Sequence, residues 1–408
     1  MTMNMRVEQM YRPHTFELPT RLDHGVGIAR QAGAQIKALG VGTVLFVTDP
    51  GIRAAGVTAR VEESLRQAGI AVVMFDQVEP NPSTALVAKA TAMYVENACE
   101  GLVAVGGGSS IDTAKAVGVE VTHGGPVLDY EAAEGKQPLR LRIPPLVAIP
   151  TTGGTGSEMT QWAVITDQAR EYKFNVGGPL IAAHVALVDP EMQATMPARI
   201  TAGTGIDALC HAIECYTMQW AQPVTDAVAL LAIEYSATYL RRACASRDDI
   251  EARYGMAQAA ALAGMSYGSE SAGAVHAMAQ TLGGILPVAH GECVGALLGP
   301  VMEFNWQGEP RRYARVARGL GVNTHGMSVE AAAVAAVREV YRLVRDIEIP
   351  SLQAQGVDAE MIPRLAAEAM KDPQTIGNPR DLDQRSYEWI YRRSFGLAAS
   401  TIDGPDRG

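Results

Sequence analysis

Asp207 and His211 stand four residues apart in the stretch GIDALCHAIECY, which runs from Gly205 to Tyr216. Ala, Leu and Ile in that stretch favour a helix, which puts both side chains on one face, one turn apart. His276 lies in a second helical run, SAGAVHAMAQTLGG, and His290 follows fourteen residues later in LPVAHGECVG. One carboxylate and three imidazoles make a ligand set for a single divalent metal. Neutral imidazole suits ferrous iron or zinc, and one carboxylate oxygen suits both. Cys210 leaves the helix on another side, so no thiolate needs to join, and Glu214 is the nearest competing ligand. A plainer reading stands beside this one. A histidine on an apolar helix is more often a hydrogen-bonded core residue, and an i, i+4 Asp/His pair is also an ordinary helix-surface device. Spacing alone leaves both open.

A second stretch points to phosphate. An apolar run, Gly101 to Val105, leads directly into Gly106-Gly107-Gly108-Ser109-Ser110-Ile111-Asp112 and a helix through Val119. Three glycines allow close approach of backbone to a ligand, and a helix N-terminus offers free N–H groups and partial positive charge. Ser109 with Asp112 three residues on reads as a capping-box-like start. This is not the GxGxxG fingerprint, and a tight turn without a ligand is the alternative. Another strand, Leu146 to Ile149, ends in Pro150-Thr151-Thr152-Gly153-Gly154-Thr155-Gly156-Ser157-Glu158, dense in hydroxyls and glycines that suit phosphate and ribose oxygens. Asp49 follows the strand Thr43 to Val47, where a carboxylate can accept bonds from ribose hydroxyls and repel a 2′-phosphate, which implies NAD over NADP. A turn Asp before Pro50 is the competing explanation.

The blocks DALCHAIE, HAMAQTLGG and AHGECVGALLGPVMEFN, together with GGGSSID, resemble those of the iron-containing (group III) alcohol dehydrogenases. The resemblance runs from about Thr15 to Phe395. It implies that Asp207, His211, His276 and His290 hold the metal. It implies that Gly106, Gly107, Gly108, Ser109 and Asp112 form the pyrophosphate loop, that Thr151, Thr152 and Thr155 contact the cofactor, and that Lys173 lies near the nicotinamide ribose. Without the resemblance, a solvated surface lysine is an equally good reading of Lys173. One position departs from the pattern: many members carry HxxxH, whereas here His276 is followed four residues later by Gln280. An amide does not titrate near neutral pH, so Gln280 is expected to orient substrate rather than carry its proton.

The chemistry this implies is hydride transfer between an alcohol or hydroxy acid and a nicotinamide, NAD(H), with the substrate oxygen on the metal as a Lewis acid. Two other uses of the same scaffold are a dehydroquinate synthase-like lyase and a hydroxyacid–oxoacid transhydrogenase. The lyase family uses a Glu/His/His set, which counts against it here. A non-catalytic dinucleotide- or metal-binding protein is a further alternative.

The elements that must position these residues follow from length and periodicity. A chain of 408 residues with 48% hydrophobic residues suits two domains with sizeable cores. A net charge of −10 without blocks of like charge argues against nucleic acid or an anionic membrane as partner. No apolar run is long enough to span a bilayer, and the N-terminal residues lack a signal-peptide core. Cys99, Cys210, Cys215, Cys244 and Cys293 include no CxxC and suit reduced thiols in a cytoplasmic protein. The expected partners are a small-molecule substrate and further copies of the chain in a homo-oligomer.

Strands at Thr43–Val47, Ile70–Phe75, Gly101–Val105, Leu146–Ile149 and Val185–Val188 alternate with helices: Ile28–Leu39, a stretch to about Gln67, and one capped by Ser83 and ending near Asn97. Such alternation indicates βαβ units in a parallel sheet covered on both faces. Thr15–Leu18 reads as extended, and DHGVG as a turn. From about Pro197 helical spacing takes over at Asp226–Ala243, Ile250–Met265, Val329–Val344, Ile362–Met370 and Ser386–Ala398. The fold expected is α/β followed by all-α: a Rossmann-like dinucleotide domain over residues 1–196 and a helical metal-binding domain over 197–408. The site is expected between them, and the tail after Thr401 is expected to be mobile.

Overall fold

The computed structural model describes residues 13–133, 135–269 and 272–396. The tail after Thr401 and the end of the last expected helix lie outside the described residues.

The first half is a parallel sheet. Its strands are β1 (Arg21–His24), β2 (Thr43–Val47), β3 (Ala71–Phe75), β4 (Gly101–Gly106), β5 (Leu146–Pro150) and, after the hairpin strands β6 (Trp162–Asp167) and β7 (Tyr172–Gly177), β8 (Val185–Val188). The six-stranded sheet has the order β1-β8-β5-β4-β2-β3, and every pairing in it is parallel. Every residue of β4, β5 and β8 is buried, as expected of strands with helices over both faces. The connecting helices are α1 (Ala32–Ala38), α2 (Pro50–Ala54), α3 (Ala59–Gln67), α4 (Thr84–Glu96) and α5 (Gly108–His123). One core, with Leu45, Leu102 and Ile111, lies on one side of the sheet; another, with Phe46, Val103 and Ile36, lies on the other.

The chain order leaves β2 between β3 and β4, so the connections leave β2 and β4 in opposite directions. Ligands in open α/β sheets bind at such a switch point, beyond the carboxyl ends of the strands. Asp49 follows β2, Gly106 ends β4 with Gly107 and Gly108 just beyond it, and Thr151–Thr155 follow β5. All three segments therefore sit at the same edge of three neighbouring strands.

The second half is helical: α6 (Ala198–Thr217), α7 (Pro223–Ala245), α8 (Ile250–Ser269), α9 (Ala274–Ile285), α10 (His290–Asn305), α11 (Pro310–Gly319), α12 (Val329–Asp346), α13 (Ile362–Ala369) and α14 (Gln384–Phe395). Ala-rich helices pack closely because small side chains let axes approach, and α6 is buried along most of its length among them.

Several expectations need correction. The helix expected over Ile28–Leu39 opens as a 3-10 turn, Ile28–Gln31, before α1. The stretch to Gln67 is two helices, α2 and α3, interrupted around Gly56 with φ of 71°. Thr15–Leu18 forms no strand; the edge strand begins at Arg21. The hairpin β6–β7 escaped notice because Val164, on its cleft side, is as apolar as Ala163 and Ile165 beneath it, which hides the period of two.

Candidate active site

Asp207, His211 and Glu214 occupy positions i, i+4 and i+7 of α6, hence one face. His276 and Gln280 are likewise one turn apart on α9, and His290 is the first residue of α10. Asp207 Oδ1 is the meeting point. It lies 3.3 Å from His276 Nε2, 3.7 Å from His290 Nε2 and 3.9 Å from His211 Nδ1. One ligand atom each from Asp207, His276 and His290 falls within 4.8 Å of the others. His211 does not join that mutual set, although its imidazole stacks on that of His276 with centroids 4.1 Å apart.

Nitrogens that should be paired are not. Nδ1 of His211 and Nδ1 of His290 are buried with no hydrogen-bond partner. A buried polar atom left alone costs about 1–3 kcal/mol, and the His211 nitrogen stands 3.9 Å from the Asp207 carboxylate, a pair that calls for a cation. Protonation already suits two of the three imidazoles. Burial, with His276 nearby, pushes His211 down to about 3, and burial with Lys173 pushes His290 well below the usual imidazole range. Both are neutral and able to ligate. Burial opposes charge on Asp207, but His211 and His276 hold its carboxyl below the usual range. His276 differs: though buried, its bonds to Asp207 and Glu214 raise it to about 10, so it carries a proton that it must release before Nε2 can ligate. The residues therefore fit one divalent metal.

Glu214, the competing ligand of the sequence reading, is already committed. Its carboxylate accepts from Gly273 N at 3.0 Å, Val275 N at 2.7 Å and His276 Nδ1 at 2.5 Å. It thus caps the start of α9 and orients the ring that points its other nitrogen at Asp207. A Cβ at Gly273 would stand 2.6 Å from Glu214 Oε1, so only glycine allows this approach. Cys210 Sγ lies 3.9 Å from His276 Nδ1, and burial raises its thiol well above the ordinary range, so it stays protonated.

These residues line a cavity of about 730 Å³ that also reaches the dinucleotide segments. Gly108, Ser109, Asp112, Thr155, Lys173, Gln280 and the four metal candidates all face it. Asp49, Gly106, Gly107, Thr151 and Thr152 do not line it, though they adjoin it at the strand ends. Gln280 Oε1 is buried without a partner.

The loop departs from its expected construction. Helix α5 begins at Gly108 with Gly107 as its N-cap, so Ser109 is inside the first turn and makes no capping box. Asp112 instead bonds the Ser157 hydroxyl and accepts from Val164 N at 3.0 Å. The glycines also serve packing between loops: a Cβ on Gly108 would meet Thr155 Cγ2 at 2.8 Å, and one on Gly106 would collide with Ser110. Asp49 caps α2 through Ile52 N at 2.9 Å, the turn role weighed above, and leaves a second carboxylate oxygen beside Gly106. Lys173 is no surface lysine. It is buried, donates to Asn81 Oδ1 at 2.8 Å, and burial pushes it down to about 8.

Residues 19–190 match the family model for iron-containing alcohol dehydrogenase, and residues 201–395 match that for the C-terminal region of the Fe-containing alcohol dehydrogenase family. This chain belongs to the iron-containing alcohol dehydrogenase family. A choline dehydrogenase of Bacillus subtilis (strain 168) is 63% identical over 98% of this chain and 100% of its own. An NAD-dependent methanol dehydrogenase of Bacillus methanolicus is 39% identical over 90% of this chain and 95% of its own. A crystal structure of a 1,3-propanediol oxidoreductase superposes with a TM-score of 0.91 at 37% identity, covering 94% of this chain and 100% of that one. The chain is an NAD-dependent alcohol dehydrogenase, an oxidoreductase that works with a divalent metal. These matches give the lyase alternative no support.

In this dehydrogenase, three contributors went unread in the sequence. Tyr267 stacks on His211, Asn81 holds Lys173, and the hairpin puts Trp162 and Asn175 on the cavity wall. Asn81 offered a signal, since it stands between two prolines and takes φ of 56°. Tyr267, isolated in an Ala-rich helix, offered none.

Proposed function

We propose that Asp207, His211, His276 and His290 hold one divalent metal, ferrous iron or zinc, and that the enzyme oxidises a small alcohol with NAD. The observation that carries this is the convergence of the imidazoles on Asp207 Oδ1 at the cavity shared with the glycine loop. Bound there, the metal supplies Lewis acidity that lowers the pKa of the alcohol, and NAD supplies the hydride acceptor. The chain supplies position. Free N–H groups at the start of α5 and the hydroxyls of Ser109 and Thr155 face the place for pyrophosphate. Lys173, held by Asn81, suits a ribose hydroxyl. Gln280, with an unpaired amide oxygen, orients substrate through a hydrogen bond and leaves proton removal to water and ribose hydroxyls.

Choline is the first substrate to test. The 63% identity to a choline dehydrogenase supports it, and so does the cavity wall. Trp162, Tyr172 and Tyr267 line it, and quaternary ammonium groups favour aromatic faces. The Trp162 indole lies flat against Gly177, where any Cβ would collide with the ring.

Two further readings belong here. The division into residues 1–196 and 197–408 is supported by the break between the family matches, 19–190 and 201–395. A cytoplasmic location is supported by five cysteines that form no disulfide, and a homo-oligomer is proposed with it. Among the described residues no helix is long and apolar enough to cross a membrane.

The test is NADH formation by the metal-loaded enzyme with choline, 1,3-propanediol and methanol. The expected order of kcat/KM places choline first. Absence of NADH with every alcohol and of NADH consumption with the matching aldehydes would refute the function.

A further inference from the structure

Among the described residues, neither His211 nor His290 has a hydrogen bond that fixes its ring plane. His276 Nδ1, away from Asp207, is held by Glu214, whereas His211 turns Nδ1 itself toward Asp207 at 3.9 Å and has no such bond behind it. What holds His211 is a stack. Tyr267 on α8 lies 4.1 Å from it at an interplanar angle of 13°, and His276 lies 4.1 Å from it at 22°. The imidazole is therefore clamped between two rings. Metal-bound histidines are usually oriented by an acceptor on the far nitrogen; here an aromatic face takes that place.

The same tyrosine reaches the dinucleotide side. Its hydroxyl donates to the carbonyl oxygen of Thr155 at 2.5 Å. Thr155 in turn packs on Gly108, the first residue of α5, so closely that a Cβ on Gly108 would be 2.8 Å from it. The next residue, Gly156, takes φ of 57°, and a Cβ there would stand 2.5 Å from Ala260 O on α8, so the loop is seated directly on the helix that carries Tyr267. Gly108, Thr155, Tyr267 and His211 all line one cavity. The path from metal ligand to phosphate loop is three contacts long.

We propose that Tyr267 is a positioning residue with two separable parts. Its ring sets the plane of His211 for the metal, and its hydroxyl ties that ring to the dinucleotide loop through Thr155. This rests on the metal reading given above. A tyrosine kept only for packing would be replaced by any apolar residue of similar size without effect on either ligand.

The experiment measures bound metal against a competing chelator, and NADH affinity by fluorescence titration, in wild type, Tyr267→Phe, Tyr267→Leu and Tyr267→Met. Phenylalanine keeps the ring and loses the tether. It should hold metal as wild type does and bind NADH about 5-fold more weakly, as for one lost hydrogen bond. Leucine and methionine lose the ring and should lower metal affinity about 10- to 100-fold, the range for removed support behind a ligand. Using both keeps the test intact if one fails to fold, and the phenylalanine result stands alone. Wild-type metal affinity in a variant without the ring, or unchanged NADH affinity with phenylalanine, overturns the proposal. Wild-type protein that binds no metal overturns the metal reading and this inference together; wild-type protein that binds metal isolates the tyrosine.

Discussion

His276 Nδ1 lies 2.5 Å from Glu214 Oε2, so the carboxylate keeps a proton on Nδ1 and turns Nε2 toward Asp207. Glu214 sits two turns along the helix from Asp207, on the same face, and its remaining bonds secure the start of the helix that carries His276. Substituting Glu214→Gln keeps the size and weakens the acceptor. Metal affinity should fall about 10- to 100-fold while the far-UV circular dichroism stays unchanged. An unchanged affinity in chelator competition would remove Glu214 from the site.

Much of this arrangement was legible, for identifiable reasons. A helix brings i and i+4 together by geometry, so Asp207 with His211 and His276 with Gln280 were readable as facing pairs. The strands Thr43–Val47 and Val185–Val188 were bounded by turn residues and emerged where expected. What stayed hidden depends on tertiary contact. Tyr267 meets Thr155 across 112 positions of chain, and Lys173 meets Asn81 across 92. Asp112 looked like part of a cap because its spacing from Ser109 fits one; the fold turned it toward Ser157 instead.

Gln280 carries an unpaired buried oxygen one turn from His276. Gln280→Ala should reduce kcat/KM about 10-fold, equivalent to about 1.4 kcal/mol, as for one lost hydrogen bond to substrate. The shape of the pH–rate profile should not change, because an amide does not titrate. Loss of an ionisation limb near neutral pH would place Gln280 in the proton path instead.

Asp49 has one oxygen in the cap of α2 and a second beside Gly106. Asp49→Ser retains a capping hydroxyl and removes the charge that repels a 2′-phosphate. The ratio of kcat/KM for NAD to that for NADP should fall about 10-fold or more. A ratio equal to wild type would leave Asp49 with its turn role alone.

His184 sits with Nε2 at 3.0 Å from Arg142 Nε, and burial followed by that guanidinium pushes it down to about 4. The unfolded chain takes up this proton near 6.5, whereas the native state does not until about 4. Stability from this residue is therefore complete above about pH 6.5 and is lost as pH falls toward about 4. Thermal melts at about pH 7 and about pH 5 should show a larger drop in Tm for wild type than for His184→Gln. Equal drops would show that the imidazole is not held neutral.

The central claim is that Asp207, His211, His276 and His290 hold a single catalytic metal, and His276→Ala tests it most directly. Metal content by mass spectrometry and NADH formation from an alcohol are measured on the same preparation. The account predicts about one equivalent of divalent metal in wild type, and severe loss of both metal and turnover in the variant. A His276→Ala protein that purifies with a full equivalent of metal and oxidises alcohol at the wild-type rate would contradict it.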